Sequence, residues 1–248
     1  FSVAKLKTFF AFSNKLLASG TIGAVFNNIY PSIIAMFYPM QQVGFYTQAY
    51  KYQDTPFAVL SDTFRSVSML ILSEINQQTE RLHRVLSKLM KTMSFLSFPI
   101  GLLLILIADP LFVNIFGAKW QPSAPYFQTL CIGGMVSPYT FILNELFIAK
   151  ERADFFLNVE IIKRIIRVVL IVSFFKQGVT GLAVSWVVYM YITLGISLFL
   201  SKKLINYSLF SFIKDAAPYV LISILSVMVA YLASNKIVNG FLKMAVAT

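Results

Sequence analysis

Charged residues are scarce in this sequence, and cysteine and histidine are almost absent. Charged side chains make up 12% of the 248 residues, whereas a soluble domain carries roughly a quarter to cover its surface. Hydrophobic residues reach 58% instead. This composition excludes an ordinary soluble domain and predicts a membrane protein.

The one cysteine and the one histidine exclude several kinds of site. Cys131 has no second cysteine with which to form an intrachain disulfide or a multi-cysteine metal site. His83 has no second histidine and no cysteine near it in the sequence, so a metal bound there would need its remaining ligands from distant segments. The sequence also lacks the motifs of P-loop NTPases, zinc proteases, serine hydrolases and dinucleotide-binding proteins. We therefore expect no metal, no cofactor and no enzymatic activity.

Long hydrophobic runs dominate the rest of the chain. A helix needs about 20 predominantly apolar residues to cross the hydrocarbon core. The predicted membrane helices cover residues 11–37, 43–72, 87–108, 124–148, 155–175, 179–200 and 215–234, and an eighth begins near Gly240. The sequence thus predicts an all-α, polytopic membrane helix bundle. We expect both ends to be cut from a longer protein, since the chain starts at Phe1 and its last apolar run is too short to cross a membrane.

Lysine and arginine collect on one side of this predicted bundle, and cytoplasmic loops retain such cations. One side carries Lys5, Lys7, Arg81, Arg84, Lys88, Lys91, Lys150, Arg152, Lys202, Lys203 and Lys214, and the other carries Lys119, Lys176 and Lys236. The richer side is predicted to be cytoplasmic. Membrane topology accounts for the net charge of +11, so we expect no nucleic acid as a partner.

The first two predicted helices are more polar than lipid-facing helices. Their polar residues are Ser13, Asn14, Lys15, Ser19, Thr21, Asn27, Asn28, Gln48, Lys51, Gln53, Asp54, Asp62 and Arg65. Polar groups at membrane depth need internal partners or water. Hydrogen bonds between helices are one explanation. A hydrated cavity is favoured because Pro31 and Pro56 free backbone carbonyls, and Lys15 is then a candidate cavity cation.

Two further groups of charges have simpler explanations. Asp62 and Arg65 are spaced i,i+3, which favours an internal ion pair, although a carboxylate at mid-membrane can also relay protons or sodium ions. Glu145 is predicted to lie one turn inside the cytoplasmic end of its helix, at the interface. All three residues stay candidates for ion coupling or for an internal pair.

The segment "EIIKRIIRVVLIVSFF" places cations inside a predicted membrane helix. Glu160, Lys163, Arg164 and Arg167 fall within an arc of about 100° on a helix. A central Lys or Arg costs about 2.5–3.5 kcal/mol to insert, so three of them together would nearly prevent insertion of a lipid-facing helix. Glu160 can pair with Arg164 at i,i+4, but one carboxylate cannot satisfy three cations.

Two interpretations of this helix remain open. Lys163 and Arg164 could extend to the cytoplasmic headgroups, with Arg167 stretching after them. Alternatively the cations face an aqueous cavity and bind an anion. Phosphate suits such a cavity, since Arg offers it bidentate hydrogen bonds that strengthen away from water. We favour the cavity.

Several stretches, taken in order, resemble the carboxyl-terminal half of bacterial polysaccharide flippases of the O-antigen, colanic-acid and teichuronic-acid type, within the multidrug/oligosaccharidyl-lipid/polysaccharide exporter superfamily. These stretches are "KLKTFFAFSNKLLASG", "NNIYPSIIAMFY", "VGFYTQAYKYQDTP", "DPLFVNIFGAKWQPSAP", "EIIKRII" and "KLINYSLFSFIKD". Lys163 matches a lysine that is common in the "EIIKK" motif of such proteins. The chain departs from the family at "KERAD", where relatives often have "GRSD", and at "IIAMFY", where Met36 replaces a cation.

The resemblance implies a protein of two helical lobes around a central cavity. Residues 1–10 would be a cytoplasmic lead-in, residues 11–200 the second six-helix lobe, and residues 201–248 trailing membrane helices. The partners implied are the missing amino-terminal lobe, membrane lipids and a lipid-linked oligosaccharide on undecaprenyl pyrophosphate. Such a protein resides in the bacterial cytoplasmic membrane and moves its substrate from the inner to the outer leaflet.

Other functions remain as alternatives. A multidrug exporter of the same architecture would want carboxylates and aromatic rings in its cavity, whereas the inner helices here are rich in cations. A membrane glycan polymerase or ligase would need a large external loop with catalytic residues. The longest external loop, from Asp109 to Pro125, offers only Asp109 and Lys119 as charged groups. A structural subunit is the remaining alternative.

Overall fold

The computed structural model describes residues 29–150 and 153–246, without the side chains of residues 66–67, 153–158 and 233–246. Regular structure within these residues is helical throughout, so the predicted all-α bundle is confirmed. Residues 1–28, including Lys15, lie outside the described part, as do residues 151–152 of the "KERAD" segment.

Helices of two turns or more account for most of the described chain. They are α1 (Ile29–Phe37), α2 (Met40–Glu74), α3 (Thr79–Leu106), α4 (Ser123–Gly134), α5 (Ser137–Ala149), α6 (Ala153–Phe174), α7 (Gly178–Ile205) and α8 (Leu209–Val246). The connection from α3 to α4 contains the short helical turns Ala108–Leu111, Phe112–Phe116 and Ala118–Trp120. A single turn, Phe175–Gln177, joins α6 to α7.

Four described segments are long and apolar enough to cross a membrane, namely Thr79–Leu106, Ser123–Ala149, Val159–Ile205 and Leu209–Leu232. The third segment contains α6 and α7, which pack against each other as a hairpin. α2 is long enough, at 35 residues, but its charged and amide side chains lower its hydropathy. These segments make the chain a multi-pass membrane protein.

Several predicted boundaries differ in the structure, among them the connection expected between residues 200 and 215, because α7 continues to Ile205 and α8 begins at Leu209. α3 begins at Thr79 instead of residue 87, because Leu82 and Leu86 are buried and make the first turns amphipathic. The turn expected at residues 234–240 is helical, since α8 continues from Leu209 to Val246. Isolated Gly and Asn cost a helix about 1 kcal/mol or less each, so an otherwise apolar helix can continue through them.

The predicted helix 124–148 is broken into α4 and α5 at Met135 and Val136. Ser97 of α3 donates a hydrogen bond to the Met135 carbonyl at 2.7 Å, which satisfies a backbone group that the break exposes. Gly134 precedes the break, and a Cβ there would lie 2.3 Å from Gln53 Oε1. The absence of a side chain lets α2 approach α4 closely at this level.

Two clusters of buried apolar residues hold the bundle together at different heights. One joins the end of α2 to α3, α5, α7 and α8, around Leu86, Tyr139 and Leu198. The other joins α1, the start of α2, α4 and the start of α7, around Tyr46 and Phe127. The middle of α2 runs between these clusters and borders a cavity.

Candidate functional site

A cavity of about 310 Å³ opens between α1, α2, α5, α6 and α7. Charged and amide side chains are prominent in its lining. Lys163, Arg164, Arg167 and Glu160 line it from α6, and Asn144 lines it from α5. Glu160, Lys163, Arg164 and Arg167 therefore line one cavity, as their helical spacing suggests.

The structure encloses two of the three α6 cations. Lys163 is 3% exposed and Arg167 is 7% exposed. A side chain that extends to the lipid headgroups leaves its charged end in contact with water. These cations are enclosed by the protein, so extension to the headgroups does not describe their position.

Glu160 holds two of the three cations. Its Oε1 accepts a hydrogen bond from Lys163 Nζ at 3.2 Å, and its Oε2 accepts one from Arg164 Nη2 at 2.8 Å. The second contact confirms the pair expected from the i,i+4 spacing. Lys163 Nζ also donates to Asn144 Oδ1 of α5 at 3.3 Å, which ties α6 to its neighbour.

Aromatic rings form another part of the cavity wall. The guanidinium carbon of Arg167 lies 4.1 Å from the centre of the Tyr189 ring of α7, a cation–π contact that strengthens when desolvated. Trp186 and Tyr50 also line the cavity, and their ring centres are 5.7 Å apart at nearly a right angle. Sequence spacing within one helix could not reveal these contacts, because the rings come from α2 and α7.

The α2 wall is acidic. Asp54 and Asp62 both line the cavity, so the lining has two carboxylates on α2 and its three cations on α6. Formal charges among the lining residues balance, with three cations against three carboxylates when Glu160 is included. The cavity thus presents two walls of opposite charge, which suits a ligand with a phosphate at one end and hydrogen-bond donors at the other.

The expected ion pair between Asp62 and Arg65 is wrong. Arg65 Nε instead donates to Glu145 Oε1 of α5 at 2.8 Å. Glu145 is 3% exposed and lies one turn before the end of α5 at Ala149, so neighbouring helices bury it, while its depth in the membrane stays a prediction. α2 and α5 pack along each other, and this brings a carboxylate from another helix to Arg65 while Asp62 turns to the cavity.

Comparison with known families matches residues 1–125 to the family described as polysaccharide biosynthesis protein. The chain belongs to this family. The resemblance found in its motifs is thereby confirmed at the level of the family. The matched residues end before α6, so the family match does not include the cation cluster.

The names of three curated relatives are consistent with this family. An uncharacterized membrane protein in the cps region of Klebsiella pneumoniae is 27% identical over 74% of this chain and 38% of its own length. The teichuronic acid biosynthesis protein TuaB of Bacillus subtilis is 24% identical over 62% of this chain and 32% of its own.

The lipopolysaccharide biosynthesis protein WzxC of Escherichia coli is 26% identical over 62% of this chain and 31% of its own. The alignments thus span about a third of the length of these curated relatives. No solved structure matches this chain significantly.

Proposed function

We propose that this chain forms the carboxyl-terminal lobe of a flippase for surface polysaccharide synthesis. The flippase moves an oligosaccharide linked to undecaprenyl pyrophosphate from the inner to the outer leaflet of the bacterial cytoplasmic membrane. An amino-terminal lobe of the same protein completes the cavity. The relatives whose names refer to teichuronic acid and lipopolysaccharide biosynthesis support the polysaccharide class.

The observation that carries this proposal is the enclosed cation cluster on α6. Lys163, Arg164 and Arg167 line a membrane-embedded cavity, and a cation placed there without a ligand or a counter-ion is costly. A pyrophosphate offers several oxygens to such cations, and each hydrogen bond to a charged partner is strong. The aromatic and acidic walls supply stacking surfaces and hydrogen-bond acceptors for sugar rings.

Transport in this scheme needs no covalent step. The cavity binds the pyrophosphate and sugar head with different affinity in inward-facing and outward-facing states, while the lipid tail stays in the bilayer. Rocking of the two lobes about the central site then exchanges access between the leaflets. We expect α6 and α7 to move as one unit, because a single turn joins them and they pack against each other.

The test uses the full-length protein in its own bacterium. Lys163→Ala, Arg167→Ala and the double variant are expected to lower surface glycan and to raise the intracellular lipid-linked precursor, since each removes a phosphate partner. Lys176→Ala is the matched control, because Lys176 is exposed in the turn after α6. Glycan staining and precursor extraction measure the outcome, with membrane levels checked by immunoblot. Normal export from a well-expressed double variant would refute the cavity as the transport path.

A multidrug exporter is the second candidate function. The specific observation in its favour is the acidic and aromatic part of the cavity, with Asp54, Asp62, Tyr50 and Trp186. Such groups suit a lipophilic cation. Ethidium accumulation in cells that lack the protein, compared with complemented cells, tests this alternative. Equal accumulation in both strains would exclude it.

A further inference from the structure

Glu160 forms ion pairs with two of the cations on its own helix. Each of its two carboxylate oxygens contacts a different cation, Lys163 at 3.2 Å and Arg164 at 2.8 Å. Glu160 itself is 7% exposed and lines the cavity beside both partners. A phosphate bound to these cations would need the same donor groups.

The pairing has a physical consequence for an empty carrier. Two enclosed cations without an anion would repel each other and lose their hydration. The Glu160 carboxylate neutralises part of this charge while the cavity holds no ligand. A phosphate with more charge and more acceptor oxygens can displace it, because charge-assisted hydrogen bonds scale with the charge of the acceptor.

We propose that Glu160 is an exchangeable counter-ion: the ligand phosphate displaces its carboxylate from Lys163 and Arg164, and the carboxylate returns when the ligand leaves. This inference rests on the proposed function, since it assumes a phosphate-bearing ligand in this cavity. Because the Glu160 carboxylate competes for the same cations, it lowers the affinity for the ligand and allows the ligand to dissociate. Transport needs both, because a carrier that binds too tightly at one face cannot turn over.

The mechanism predicts opposite signs for neighbouring substitutions. Glu160→Gln leaves Lys163 and Arg164 without their carboxylate and should tighten phosphate binding. Lys163→Ala should weaken it. If Glu160 only oriented the two cations for the ligand, Glu160→Gln would weaken binding as well.

The experiment measures binding of inorganic pyrophosphate to the full-length protein in lipid nanodiscs by calorimetry. Glu160→Gln is expected to lower Kd by about tenfold, which corresponds to about 1.4 kcal/mol. Glu74→Gln is the matched control. It makes the same substitution and removes one negative charge, but Glu74 is exposed at the end of α2 and does not line the cavity. Its effect on Kd should stay within about threefold.

The outcomes separate this inference from the proposed function. Tighter binding by Glu160→Gln alone, together with reduced glycan export in cells, supports counter-ion exchange. Unchanged or weaker binding, with a wild-type protein that binds pyrophosphate, overturns the inference but leaves the proposed function standing. Equal tightening by Glu74→Gln also overturns it, since the effect then follows from the net charge of the protein and not from the pairing of Glu160. Absence of pyrophosphate binding by the wild-type protein overturns both.

A second variant keeps the test decisive if Glu160→Gln does not fold. Glu160→Asp keeps the charge but shortens the side chain by one methylene, which weakens its reach to Lys163 and Arg164. We expect its Kd for pyrophosphate to fall by about threefold. A rise in Kd for this variant would overturn counter-ion exchange.

Discussion

The pair between Arg65 and Glu145 offers a sharp test of the packing of α2 against α5. The Glu145 carboxylate is buried, accepts the Arg65 Nε hydrogen bond through Oε1, and makes no hydrogen bond through Oε2 within the described residues. Arg65→Met would therefore leave a buried carboxylate without its partner, at a cost that exceeds the loss of one hydrogen bond.

The structure sets the magnitude of this effect. Breaking a fully buried pair costs about 3–5 kcal/mol. The two side chains here are 57% and 4% exposed, so water partly screens the arginine end, and exposed pairs contribute only about 0–1 kcal/mol. We expect Arg65→Met to destabilise the protein by about 1–3 kcal/mol, between these limits.

SDS-induced unfolding of the full-length protein in mixed micelles measures this change. The double variant Arg65→Met, Glu145→Gln should recover at least half of the lost stability, because no buried charge then remains. Arg65→Lys should lose less than Arg65→Met, since it keeps the charge. A double variant as unstable as the single one would refute the reasoning, because the cost would then come from lost packing and not from an uncompensated carboxylate.

The remaining predictions concern a close helix contact and the aromatic wall. Gly134→Val should destabilise the protein by about 1–3 kcal/mol in the same unfolding assay through overpacking, because a Cβ there meets Gln53 and Phe57 at 2.3 and 2.6 Å. Gly195→Ala is the control, since nothing lies within 4 Å of its Cβ, and it should be neutral or stabilising; equal losses would contradict the packing. Tyr189→Leu should lower glycan export by about five- to thirtyfold, because it removes a desolvated cation–π contact of about 1–2 kcal/mol, whereas Tyr189→Phe should retain export. Loss of export in the Phe variant would assign the role to the hydroxyl group instead of the ring.

The site shows where sequence reasoning works and where it stops. The α6 face of Glu160, Lys163, Arg164 and Arg167 was predictable, because residues on one helix keep a fixed angular spacing. Asn144 and Tyr189 were not predictable as partners of these cations. They come from α5 and α7, and no local pattern encodes which side chains of separate helices meet.

The wrong pair between Asp62 and Arg65 has the same origin. The i,i+3 spacing of these residues indicated a pair within α2, but an acceptor on α5 binds the arginine instead. The burial of Glu145 was likewise not predictable along one helix, because it depends on the helices packed around that residue.

Composition, hydropathy and helical spacing by themselves determined that this chain is an all-α membrane protein with a cationic face on α6. These properties are local or additive along the chain, so they need no knowledge of neighbouring helices. Tertiary structure alone decided that the cationic face lines a cavity. It also decided that Glu145 forms its ion pair with Arg65. Contacts between helices depend on close packing, as at Gly134, and packing is a property of surfaces that meet only in the folded protein.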